Sequence, residues 1–373
     1  MRPLYLCLLL LSLCWQIPTP AFAAKIPGRE VAGLVAARAL RPPDAASLEA
    51  LAATQSADEM NAVLQSFDRY AFFRERASYE RLLKAQGLFP ASVGMDIVHD
   101  RKQRIVCIPY PGSRAARAGV RYGDELLAVD GQRVLSSDLE DVAVLVRGAK
   151  NSTVKLLLRD AGGQERNISV MREIAAPPTV TKGEAVHGMP CVAVLRFGPG
   201  TAKELKSALD RALAGGGKAL VLDLRGNTGG DLAAGLEAAR LFLPANSLMV
   251  RIRSPKGESL EQTSTNGSYA FVRLYIWQDG LTASAAEMLI TALKGARRAA
   301  PVTTIGGLSA GKAQIQEQIN LAGGNLLKLS TRQMFTAYSM RTWQDVGLMP
   351  DIPAFADMVG DRVQFLHFTP PGP

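Results

Sequence analysis

Between positions 45 and 86 the apolar residues recur at helical spacing, through Leu48, Leu51, Met60, Val63, Leu64 and Phe67 and later Tyr79, Leu82 and Leu83. The pattern predicts a helical N-terminal region over 24–88, and no chemistry-bearing motif stands in it. From 89 to 173 the rhythm changes to short strand-like runs cut by glycine turns, with one helix-like stretch at 138–146, which predicts a small β-rich unit over 89–174. Ala175-Ala-Pro-Pro178 breaks the pattern as a linker. Beyond it, strand-like 191–197 and 219–224 alternate with a helix-like 202–214 that Gly215-Gly-Gly217 stops. A further helix runs to about Leu243, 273–277 reads as a strand, and 284–294 as a helix. That alternation predicts an α/β core over 175–373, with helices packed on a sheet. The expected fold class is multidomain α/β: a helical N-terminal region, a β-rich unit with helices, and an α/β core.

The first residues change the picture of where the chain works. Arg2, the apolar run 4–13 and the small-residue site Ala21-Phe22-Ala23 read as an export signal, 1–23, with the mature chain starting at Ala24 in the periplasm or outside the cell. A membrane span needs roughly 20 apolar residues, and Gln16, Pro18 and Pro20 interrupt this run. No second apolar span appears, so no stable membrane span is expected after signal cleavage. About 350 residues remain, room for two domains or a little more.

The formal net charge is +9, of which only Arg2 belongs to the signal, so the mature chain stays basic. Its positive residues are spread out, without the clustered arginine and aromatic pattern of a nucleic-acid site. The charge therefore reads as solubility or loose attraction to an anionic envelope. Of the cysteines, Cys7 and Cys14 leave with the signal, while Cys107 and Cys191 sit in apolar runs of different units. They are expected as buried thiols more than as a disulfide, although an exported protein could oxidise them.

Chemistry concentrates in Thr282-Ala-Ser-Ala-Ala-Glu287, which sets a serine at a helix start, where free N–H groups and the helix dipole favour negative charge. A lone serine there would ordinarily be a cap. A nucleophilic serine needs a base, and His99, His187 and His367 lie in no run that looks like a site. Lys312 follows the glycine loop Gly306-Gly-Leu-Ser-Ala-Gly311 and precedes Ala313-Gln-Ile-Gln316, a strand-like run with Lys312, Gln314 and Gln316 on one face. Burial can lower a lysine's pKa far enough for it to act as the base. Two other motifs overlap this lysine. Residues 306–313 approach a phosphate loop, but Ala313 lacks the required hydroxyl and no helix follows. Ser309 and Lys312 fit an S-x-x-K pair whose companion motifs are absent. With no clustered His, Cys or Glu set, no metal or organic cofactor is implied.

On these residues the chain resembles the carboxy-terminal processing peptidases, or tail-specific proteases. That family reads T-A-S-A-S-E around its nucleophile and G-K-G-x-V-Q around its base. Asp223-Leu-Arg-Gly-Asn-Thr-Gly-Gly230 matches its D-L-R-x-N-x-G-G run, and Gly347-Leu-Met-Pro-Asp-Ile352 its G-x-x-P-D run. Gly112-Ser-Arg-Ala-Ala-Arg-Ala-Gly119 followed by Tyr122-Gly-Asp-Glu-Leu-Leu-Ala-Val-Asp-Gly131 resembles a PDZ domain of exported proteases, departing at Arg114 and Tyr122, where that pattern has proline. All but the signal, part of the N-terminal helices and the last residues is covered.

The resemblance implies Ser284 as nucleophile, Lys312 as base and Gln316 orienting the amine. It implies an oxyanion hole from the backbone N–H of Ala285 and of Gly229 or Gly230. In the PDZ unit it implies a carboxylate-receiving loop at Val93, Gly94, Met95 and Asp96, with Val142, Leu145 and Val146 beside the peptide groove or else ordinary core. Departures stand at Ala286 for a second serine, Ala310 for an aromatic, Ala313 for glycine and Gly307 for an acidic residue. Gly295 replaces an aspartate found in some members, so no acidic third partner is assigned. The implied function is that of an exported serine endopeptidase cutting proteins near or from their C-termini, whose partners are substrate tails; a regulatory adaptor or an oligomer is left open. The alternative is a non-catalytic protein binding peptides or hydrophobic ligands on the same fold, against which the retained Ser284, Lys312 and Gln316 weigh.

Overall fold

Distinct apolar clusters form where the periodicity changes along the chain, and they organise it. The computed structural model describes residues 26–354 except 89–90, 135–138, 175–177, 187 and 263–264. The expected signal, most of the linker at 175–178, His187 and His367 lie outside the described residues.

The N-terminal region holds α1 (Gly28–Arg38), α2 (Ala45–Ala53), α3 (Ala57–Phe67), β1 (Phe72–Arg74) and α4 (Arg76–Leu88). Asp44 and Ser56 start α2 and α3 by accepting the N–H groups of Ser47 and Glu59, as short polar N-caps do. Leu51, Met60 and Leu64 turn inward with Val31, Val35 and Phe73, and this cluster continues into Ile319, Leu327 and Leu329 far along the chain. A strand, β1, was not expected here. Three residues are too few to show a period of two, and what fixes them is antiparallel pairing of Phe72 with Lys328 and of Arg74 with Leu326.

The second unit is a sheet in the order β2 (Met95–His99), β3 (Ile105–Pro109), β4 (Glu125–Val129), β6 (Thr153–Arg159) and β7 (Glu165–Met171), with β5 (Gln132–Arg133) on β4. Two helices accompany it, α5 (Arg114–Arg117) and α6 (Leu139–Val146). Alternate residues Val154, Leu156 and Leu158 of β6 point into one core with Val93, Cys107, Leu126 and Val142. β2 forms one edge of the sheet, and α6 packs near it.

The third unit holds two sheets. One runs in the order β17 (Ile352–Pro353), β14 (Val302–Gly306), β13 (Arg273–Gln278), β10 (Ala219–Asp223), β9 (Cys191–Val194) and β8 (Val180–Lys182), parallel throughout except for β8. The other joins β1 to β16 (Leu326–Thr336), β11 (Leu248–Ser254) and β12 (Gly257–Gln262), with β15 (Gln314–Asn320) also paired to β16. Helices α7 (Thr201–Ala212), α8 (Leu232–Arg240) and α9 (Ala285–Gly295) pack around these strands. α9 is buried on every side from Ala285 to Leu293, and of these residues all but Glu287 and Thr291 are apolar, as burial all round favours. Because β10, β13 and β14 are parallel neighbours, the loops leaving their C-terminal ends meet at one edge, where open α/β sheets place their sites. Cys107 and Cys191 are both buried, and no disulfide links them. Among the described residues no helix is long and apolar enough to cross a membrane.

Candidate active site

The loop after β13 carries Ser284. Of the run 281–293 it alone is not buried, so of the hydroxyls on Thr282, Ser284 and Thr291 only that of Ser284 belongs to a residue this segment leaves partly open to solvent. Its backbone is strained, at φ 56° and ψ −117°, a conformation that a residue bearing a Cβ keeps only when its surroundings impose it. The surroundings are specific. Ala283 N–H donates to the Asn227 carbonyl at 2.9 Å, and Ala310 N–H donates to the Thr282 carbonyl at 2.9 Å, so the loops after β10 and β14 each grip this one.

Glu287, one turn into α9 and fully buried, completes the grip. Its Oε2 accepts the N–H groups of Ser284 and Lys312, both at 2.9 Å, and the Trp343 indole N–H at 3.1 Å. Its Oε1 accepts Gly311 N–H at 2.7 Å and the Ser309 hydroxyl at 2.5 Å. Burial pushes this carboxyl upward in pKa, while the hydrogen bonds from Ser309, Lys312, Gly311 and Ser284 pull it back. Two bonds of 2.9 Å to one oxygen hold the Ser284 and Lys312 backbone nitrogens within twice that distance of each other.

Lys312 is half-buried, and its amine is lowered to about 8, first by burial and then by the positive charge of Lys328, with Glu287 opposing and Arg69 adding to the effect. The amine stands 5.2 Å from the centroid of the Tyr70 ring. Among the described residues no hydrogen bond joins it to the Ser284 hydroxyl. The Gln316 amide donates to the Gln314 carbonyl at 3.2 Å and to Ser330 Oγ at 3.3 Å, which leaves its own carbonyl oxygen as an acceptor. Ser330 is fixed in turn by Asp68, whose carboxylate accepts both its N–H, at 2.8 Å, and its hydroxyl, at 3.0 Å. Tyr70 and Asp68 both come from the stretch between α3 and β1. The N-terminal region, in which sequence reading found no chemistry, thus supplies surroundings for both Lys312 and Gln316.

In the loop after β10, Asn227 is fully buried and donates through Nδ2 to the Val194 carbonyl at 2.8 Å. Its Oδ1 accepts the Gly229 N–H at 2.9 Å. Gly229 is therefore committed, whereas the N–H groups of Gly230 and Ala285 make no hydrogen bond among the described residues. The closeness of Gly229 to the Ser284 loop is steric: a Cβ there would stand 2.7 Å from Ser284 Cβ and 3.0 Å from Ala285 N. At Gly230 a Cβ would meet the Phe197 carbonyl oxygen at 2.1 Å.

In the β-rich unit, Val93, Val142 and Val146 are buried core residues, while Leu145 and Met95 are half-buried against the same core. Gly94 is left-handed at φ 78°, where a Cβ would stand 2.6 Å from Ser113 Cβ, and its N–H reaches Ser92 Oγ at 3.4 Å. Asp96 accepts the Tyr110 hydroxyl at 2.5 Å, and burial raises its pKa. The backbone of this loop lies at the sheet edge near α6.

Residues 190–354 match peptidase family S41, and residues 105–160 match the PDZ domain family. The chain belongs to peptidase family S41. Among the relatives of this S41 protein is the carboxyl-terminal-processing protease of Synechocystis sp. (strain ATCC 27184 / PCC 6803 / Kazusa), 30% identical over 69% of this chain and 60% of the relative. The carboxy-terminal processing protease CtpA of Bacillus subtilis (strain 168) is 27% identical over 66% of this chain and 52% of the relative. The chain thus spans roughly half to three-fifths of the lengths of these relatives. In fold it resembles the photosystem II D1 C-terminal processing protease, with a TM-score of 0.73, 24% identity, and coverage of 87% of this chain and 91% of that one.

Proposed function

We propose that this S41 protein is an exported serine endopeptidase that cuts protein substrates near or from their C-termini. Ser284 attacks the scissile carbonyl, neutral Lys312 takes its proton and passes it to the leaving amine, and Lys312 then activates the water that resolves the acyl-enzyme. The observation that carries this reading is the shared Glu287 carboxylate, which ties the backbones of Ser284 and Lys312 to one buried point. The lowered Lys312 pKa supports it, since a base must be neutral to work. To reach Ser284 Oγ the lysine stem turns away from the Tyr70 ring, with the Gln316 carbonyl oxygen as its acceptor. Catalytic hydrogen bonds are often long in ligand-free enzymes and tighten with substrate.

The two uncommitted N–H groups, on Ala285 and Gly230, suit the oxyanion hole; Gly229 serves instead by letting the backbone approach Ser284. The PDZ unit receives the substrate tail along the β2 edge, with its terminal carboxylate at the loop 93–96. Export rests on the signal read at 1–23.

A labelled peptide with an apolar, unblocked C-terminus tests the reading. The parent should shorten it and Ser284→Ala should retain it uncut, while amidating the peptide's C-terminus should slow cleavage without moving the bond cut. A parent that binds but never shortens several such peptides would instead be a non-catalytic binding protein on this fold.

A further inference from the structure

Tyr122 stands between α5 and β4 in the PDZ unit, at a position where the PDZ-like pattern carries proline. Its ring leaves that unit. It lies on the backbone of Gly226, where an added Cβ would come within 2.6 Å of it, and its hydroxyl donates to Asp279 Oδ2 at 2.5 Å. Val98, Val106 and Ile108 of β2 and β3 cluster beside it with Leu281. The seam therefore joins the outer face of the expected groove strand to a residue three positions before Ser284.

The other oxygen of Asp279 spans two loops. Oδ1 accepts the N–H groups of Gly226 at 3.1 Å, Leu281 at 3.0 Å and Thr282 at 3.1 Å. Gly226 belongs to the loop holding Gly229 and Gly230, and Thr282 to the loop holding Ser284. One carboxylate thus sets the spacing between the oxyanion donors and the nucleophile, and among the described residues Tyr122 is the PDZ-unit group that bonds it. Burial, then the neighbouring Asp279 charge, keep the phenol protonated far above its ordinary range, so the hydroxyl remains a donor.

We propose that Tyr122 is a positioning residue for the peptidase reaction: through Asp279 it makes the PDZ unit hold the glycine loop and the nucleophile loop in mutual register. The inference rests on the peptidase reading for its kinetics, and on the hydrogen bonds alone for its structural part, so the two can fail separately.

The test uses the full chain and Tyr122→Phe, which keeps the ring packing and removes only the donor. Hydrogen exchange read by mass spectrometry should speed up several-fold at Gly226, Leu281 and Thr282 and stay unchanged in the β6 amides. With a tail peptide, kcat should fall about tenfold with KM little altered, the size expected when a carboxylate loses a hydrogen-bond donor and no substrate contact is touched. In an Asp279→Asn background the same change should cost less than twofold, because the two residues act through one bond. Unchanged exchange, an unchanged kcat in an active parent, or an equal loss in both backgrounds overturns the proposal. Faster exchange in a parent that cuts no peptide retires the peptidase reading and leaves Tyr122 as the fastener of the two loops.

Discussion

Ser284 and Lys312 donate their backbone N–H groups to the same oxygen, Glu287 Oε2. The proposed nucleophile and its proposed base are thus tied to each other through main chain, and the Lys312 amine takes no part in that anchor. Glu287→Gln tests this directly. The amide would turn an NH2 group toward backbone donors that the carboxylate now satisfies, leaving buried groups unpaired. Urea unfolding should show a loss of about 3 kcal/mol, and cleavage should fall with it. A variant as stable and active as the parent would show that the shared carboxylate is not what holds the pair.

Lys312 gives a signed pH dependence. Its neutral fraction grows as pH rises through about 8, so kcat/KM should climb through that value, and chelators should have no effect. Lys312→Ala should be inactive and Lys312→Arg no better, since a guanidinium stays protonated. Removing the positive neighbour with Lys328→Gln should raise the lysine's pKa and move the climb to higher pH. Stability follows the same proton: the unfolded chain holds it up to the ordinary 10.5, so the parent should gain stability over Lys312→Met as pH rises from about 8 to that value. Denaturant midpoints across that range check the sign.

Tyr70 lies against the Lys312 amine, and two effects of removing it oppose each other. Losing a cation–π contact, worth roughly 0.5–2 kcal/mol, would lower the lysine's pKa. Admitting water relieves the burial that is the largest cause of its depression and would raise it. With burial the first cause of the lowered pKa, Tyr70→Ala is expected to shift the pH–rate profile to higher pH, and Tyr70→Phe should leave it in place. An acid shift in Tyr70→Ala would reverse that ranking.

The reading of the core from sequence succeeded where local pattern and motif coincide. The strand, loop and helix around Ser284 appear as β13, loop and α9, and the expected strand before the glycine pair appears as β10. What escaped depends on residues distant in the chain. Tyr70 and Asp68 reach Lys312 and Gln316 only because β1 pairs with β16, a three-residue contact that periodicity cannot reveal. Glu287 stood inside the quoted motif, three residues after a serine at a helix start, the spacing of a capping box, and that signal could have exposed part of its role. Its bonds to Ser309, Gly311, Lys312 and Trp343 are tertiary. Tyr122 appeared only as a departure from a turn pattern; its partner Asp279 lies in another unit.

Gly229 permits close approach at a left-handed φ of 97°, so Gly229→Ala strains the backbone and drives a Cβ against Ser284 and the Ala283 carbonyl. The loss should resemble removal of an oxyanion donor, about 100-fold or more in kcat, with a smaller change in KM. Steady-state kinetics on one tail peptide checks it; a variant within a few-fold of the parent would show that the glycine loop is not part of the reacting site.

The central claim is an acyl-enzyme on Ser284 formed with Lys312 as base, and its most direct measurement is mass spectrometry of protein quenched seconds after mixing with an activated ester of a tail peptide. The parent should carry one acyl group mapped to Ser284, accumulating faster at pH 9 than at pH 7, with none on Ser284→Ala and very slow labelling of Lys312→Ala. An adduct mapped to Ser309, or substrate consumed with no adduct on Ser284, would contradict it.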